Sequence, residues 1–138
     1  MKKLLILVLV VLAACTGQSK SDECTTDECL KQQAYDKVIA VHDDVMPKLR
    51  MISDLKGEIE ERMKSSLDSV AFNQYLQLMQ ELDAADESMW VWMRAFNSDI
   101  ENLPLDSALN YLEAEQRKVD EVAERINSSI TAAQTALN

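Results

Sequence analysis

The residues of this chain that could do chemistry are few: three cysteines, one histidine, and methionines and tryptophans gathered in one place. Cys24 and Cys29 stand five positions apart, a spacing that closes a small disulfide loop in an oxidising compartment. They lack a Cys-x-x-Cys context, and two thiolates alone make a poor zinc site. A structural loop at a helix entrance is the favoured expectation; free thiols and pairing between molecules stay open. His42 precedes Asp43 and Asp44, yet no serine partner, glycine-rich loop or second histidine completes a catalytic constellation. No enzymatic activity and no resident cofactor are expected. His42 and Met46 lie one helical turn apart, as do Met89 and Met93. Thioethers with an imidazole select soft Cu(I) or Ag(I), and Trp90 could lie over a bound cation. A Cu(I)/Ag(I)-handling site built from His42, Met46, Met89 and Met93 is therefore the alternative functional reading.

Bulk is concentrated in Met89-Trp90-Val91-Trp92-Met93-Arg94-Ala95-Phe96. The chain is 47% hydrophobic but only 5% aromatic, and both tryptophans fall here. Met89, Trp92 and Phe96 follow core spacing. Trp90, Val91 and Met93 fall off it, and a helical segment apolar on every side is either covered twice or offers a binding patch. These three residues are the candidate partner surface.

The start of the chain reads as an address. Met1-Lys2-Lys3 is basic, and Leu4 to Leu12 is an unbroken apolar run of roughly 14 Å as a helix, too short for a permanent membrane span and typical of a secretory signal. The junction Leu12-Ala13-Ala14-Cys15 resembles the lipobox of bacterial lipoproteins. That resemblance implies a signal peptide over residues 1–14, lipid on Cys15, a tether over 15–27, a folded domain over 28–138, and work outside the cytoplasm with the membrane as a partner. Several acyl chains on one cysteine would hold firmly, each buried methylene adding about 0.8 kcal/mol. Thr16 in place of aspartate lacks the best-known inner-membrane retention signal and favours the outer membrane. Lys20 followed by Asp22 and Glu23 faintly resembles an acidic surface-export tag.

These residues need elements to position them, and composition points to helices. Gly and Pro number two each, while Leu, Ala, Glu, Gln and Lys abound. The formal net charge is −10; removal of residues 1–14, which carry Lys2 and Lys3 and no acid, leaves −12. Such a charge repels nucleic acid. Val38, Val41, Val45, Leu49, Ile52, Leu55, Ile59 and Met63 recur at steps of three and four, predicting a first helix capped at Asp27. Pro47 interrupts it without a phase change, so the spacing predicts a kink and not two independent helices. Gly57 marks either a close approach or a weak point. Tyr75, Leu78, Leu82, Ala85, Met89, Trp92 and Phe96 predict a second helix. Leu105, Leu109, Leu112, Gln116, Val119, Ala123, Ile126, Ile130, Ala133 and Leu137 predict a third, with Gln116 as a polar residue in its seam. Residues 97–103 read as a polar turn. The expected fold is all-α, an up-down-up three-helix bundle with coiled-coil-like seams; a dimer of bundles and a hairpin that exchanges its third helix are alternatives.

Antiparallel geometry then sets residue 90 opposite about residues 42 and 114, in one layer with His42, Met46, Tyr111, Leu112 and Glu115. The strings His42-Asp43-Asp44-Val45-Met46-Pro47-Lys48, Met89-Trp90-x-Trp92-Met93-Arg94-x-Phe96 and Tyr111-Leu112-Glu113-x-Glu115-x-x-Lys118-Val119 together resemble a family of small bacterial lipoproteins of unknown function. Some members carry the label "viral A-type inclusion protein", which reflects generic coiled-coil similarity. The resemblance implies the address and the helical form, and it brings no functional residues. A binding or structural role in the cell envelope, with a protein partner, is the expectation.

Overall fold

The computed structural model describes residues 24–65 and 68–138. The expected signal peptide, Cys15 and the tether as far as residue 23 lie outside the described residues. What is described is all-α: α1 (Asp27–Val45), α2 (Lys48–Lys64), α3 (Ser69–Ala95) and α4 (Leu105–Leu137). None of these helices is long and apolar enough to cross a membrane.

The helix starts are chemically specified. Thr26, not Asp27, caps α1: its hydroxyl accepts the Cys29 N–H at 3.3 Å. Asp27 and Glu28 instead occupy the first turn, where acids complement the helix dipole. The Asp68 carboxylate accepts the Val70 and Ala71 N–H groups, each at 2.9 Å, and starts α3.

The first limb breaks at Met46-Pro47 but does not turn away. Both residues keep right-handed helical dihedrals, while Pro47 has no N–H to continue the ladder. Beyond it the bonds tighten to the three-residue type, Leu49 N–H to Met46 O at 3.3 Å and Arg50 N–H to Pro47 O at 3.4 Å. The expected kink is thus a two-residue interruption between α1 and α2.

Side-chain bridges fix the topology. Lys31, Lys48 and Arg62 along the first limb reach Leu103 just before α4 and Asn127 and Leu137 along it, so these limbs run parallel. Lys56 pairs with Asp83 and Trp92 with Glu115, so α3 runs against both. The result is up-down-up. A single core runs through it, built from Val38, Val45, Ile52, Ile59, Leu82, Met89, Leu112, Val119 and Ile126, each almost fully buried.

The α4 seam is rotated from the expected one. Its heptads share Leu112, Val119, Ile126 and Ala133, but the second position falls at Glu115, Val122 and Ser129, all buried. Gln116 and Ala123 are only half-buried. Both tracks satisfy a step of three and four. The choice is made by packing: α4 touches α1, α2 and α3, so it buries a sector wider than one seam, with Ile130 enclosed as well.

Gly57 is no close approach. A β-carbon there would meet nothing within 4 Å.

Candidate functional site

The expected layer forms around Trp92. Its indole is buried, and its Nε1–H donates to Glu115 Oε2 at 3.0 Å. Glu115 is the one charged side chain buried among the described residues. A carboxylate in a core is costly unless both oxygens are satisfied, and here Oε1 accepts from Lys118 Nζ at 2.7 Å. Lys118, one turn on along α4, keeps its stem at the surface and folds its ammonium back. That hydrogen bond, and next the charge of Glu115, hold the Lys118 ammonium above its ordinary range.

Aromatic rings extend the layer in both directions. Trp92 stacks on Phe96 with centroids 5.0 Å apart, and Phe96 continues to Tyr111 at 6.1 Å and Tyr35 at 5.9 Å. The His42 ring lies 5.8 Å from Trp92. These rings bridge α1 to α3, whose backbones do not approach each other directly among the described residues. The Pro47 interruption lets α2 pack on α3 while α1 lies on α4. Large rings fill what remains. Tyr111 also fastens the next loop: its hydroxyl accepts the Asn97 N–H at 2.7 Å. Burial pushes the phenol above its ordinary value, against the opposing pull of that Asn97 bond.

His42 Nδ1 lies 2.9 Å from Asp43 Oδ1. A carboxylate oxygen accepts, so Nδ1 donates, and Nε2 has no protein partner among the described residues. Met46 and Met93 are half-buried against the core, whereas Met89 is fully enclosed. Among the described residues no group of three or more His, Cys, Asp or Glu could hold a metal.

Trp90 and Val91 are 39% and 51% exposed, and Met93 packs against the core. The off-seam trio therefore divides: two residues face outward and one has a packing role.

The N-terminal end of α1 carries a second feature. Cys24 and Cys29 form a disulfide around the Thr26 cap. Beside it lies an open groove of about 860 Å³, walled by Thr26, Cys29, Lys31, Tyr35, Ser98 and Ile100. Lys31 reaches across and donates to the Glu101 and Leu103 carbonyls at 2.9 and 2.5 Å. The segment between α3 and α4 is less polar in role than in composition, because Ile100 is buried and Leu103 half-buried. Ile100 and Lys31 went unnoticed in the sequence; an isolated apolar residue in a polar turn carries no periodic signal. Glu115 had a usable signal, an acid level with a tryptophan and three residues before a lysine.

Chemically, the arrangement holds and packs. Both Glu115 oxygens are engaged, one by the Trp92 indole and the other by the Lys118 ammonium. No protein-family model, curated protein or solved structure matches this chain.

Proposed function

We propose that the chain is a lipid-anchored component of a bacterial cell envelope, held through Cys15 and favouring the outer membrane. Its helical bundle serves as a binding or structural module, not as an enzyme. The observation that carries this reading is the Leu12-Ala13-Ala14-Cys15 junction followed nine residues later by Cys24, which pairs with Cys29. A disulfide is at home in extracytoplasmic compartments, and the third cysteine, Cys15, is the one the lipobox reading uses. Exposed Trp90 and Val91 supply the first candidate surface for a protein partner. Metabolic incorporation of a fatty-acid probe tests the address. Label should appear on the wild-type protein, persist in Cys24→Ser and vanish in Cys15→Ser. An unlabelled wild type would end the proposal.

A second reading, Cu(I) or Ag(I) handling, is favoured by one observation: Asp43 engages His42 Nδ1, and the imidazole lies 5.8 Å from the Trp92 ring with no protein partner on Nε2 among the described residues. Carboxylate-oriented histidines are the common form of metal-binding imidazole. Met46 and Met93, both half-buried, would supply thioethers; Met89 is fully enclosed. Stoichiometric Cu(I) should quench tryptophan emission in the wild type and not in His42→Ala. Unchanged wild-type emission excludes the site.

A further inference from the structure

The opening turns of α1 hold nothing fully buried: Val38 is the first of its residues to enter the core. Ahead of it only Ala34 and Tyr35 pack against the core, each half-buried. The rest of the hold is local. Thr26 caps the helix through Cys29 N–H, and Lys31 grips the Glu101 and Leu103 carbonyls. The cap bond and the bond to Glu101 are open to water, where a hydrogen bond exchanges readily for one to solvent. The covalent part of the hold is the Cys24–Cys29 disulfide, which ties the chain ahead of the cap to the first turn. Both cysteines are half-buried and so within reach of a thiol at the surface.

We propose that this disulfide is a redox clasp. Closed, it holds the start of α1 against the segment between α3 and α4; reduced, it lets the turns ahead of Val38 open while the core stays folded. A ring of so few residues removes unfolded conformations from the turn that it spans. Reduction restores them to the segment with the least burial to oppose them. The step is thiol–disulfide exchange with an external dithiol. Two electrons pass to Cys24 and Cys29 through a mixed disulfide, two protons complete them as thiols, and the reductant leaves as its own disulfide. Opening withdraws the Cys29 and Tyr35 wall of the groove and bares Ile100, a buried side chain of the facing wall. A chain anchored at Cys15 would also gain reach. Its connection to the bundle would grow from nine residues to about twenty, or from at most roughly 30 Å to roughly 70 Å. That last consequence rests on the lipid reading; the clasp itself does not.

The test is hydrogen exchange of the full chain in mild detergent, with and without excess dithiothreitol. The amides of residues 27–34 should exchange roughly tenfold faster or more in the reduced chain, while those around Leu82, Met89, Val119 and Ile126 keep their protection. The double variant Cys24→Ser, Cys29→Ser should show the faster exchange without reductant and no response to it. Lys31→Met should speed exchange further in the reduced chain and change little in the oxidised one. Equal protection of residues 27–34 in wild type and double variant would mean that packing alone holds the start of α1, and would overturn the clasp. Loss of protection along all four helices together would make the disulfide a support of the whole fold, and would overturn it equally.

Discussion

The two ends of the bundle are built differently. The end remote from the disulfide is aliphatic: Ile52, Leu55, Ile59, Leu82, Ile126 and Ile130 interlock between α2, α3 and α4, which touch one another directly. The disulfide end is aromatic and polar. There Tyr35, Phe96, Trp92 and His42 span the gap between α1 and α3, around the buried Glu115 carboxylate. Pro47, at the junction, separates one manner of packing from the other. Small branched side chains suffice where backbones are close; rings and a hydrogen-bonded centre are needed where they are not. Stability therefore belongs mainly to the aliphatic end, and whatever recognition the interior offers belongs to the aromatic one.

The sharpest way to break that contrast is truncation. Leu82→Ala, at a fully buried position, should cost about 3 kcal/mol in urea unfolding. Phe96→Ala, half-buried, should cost about half as much while erasing the aromatic near-UV circular dichroism. Equal costs would abolish the distinction. Next in size, Glu115→Ala strands the Trp92 Nε1–H and should cost about 2 kcal/mol. Glu115→Gln, which keeps an acceptor, should cost clearly less. If the two variants melt alike, the indole bond is not what holds Glu115 in place.

Gly57→Ala probes the aliphatic end in the opposite direction. A β-carbon there meets nothing, so the helix propensity gain of about 1 kcal/mol should appear as added stability; a loss would mean that α2 is packed more tightly than it is here. The smallest effect is expected from alkaline pH. Tyr111 and Lys118 both titrate above their ordinary values in the fold, the first through burial and the second through the Glu115 hydrogen bond. Their protonated forms are favoured by folding, so this contribution is complete below about pH 10 and is lost as pH rises through the raised values. Lys118 is exposed, so the loss should be slight and should shrink further in Tyr111→Phe.

Much of this was legible beforehand. Apolar steps of three and four located every limb, Pro47 its interruption, and antiparallel counting brought His42, Trp92, Tyr111 and Glu115 to one level. Those features are local or follow from turn positions. The two faces of α4 were not legible, because tracks through Gln116 and through Glu115 share every other seam position and differ only in which neighbours lie alongside. Nor was the burial of Ile100, which depends on the space between α1 and the end of α3.

By itself, then, the sequence determined the helices, their order and the level of the tryptophan layer, since periodicity and chain-breaking residues act within a few positions. Tertiary structure alone decided that Glu115 enters the core, that Trp90 and Val91 stay outside while Met93 packs in, and that rings span the gap between α1 and α3. Each depends on the rotation of one helix about its axis against two others. Packing sets that rotation, and a stripe of apolar residues wide enough for two registers does not.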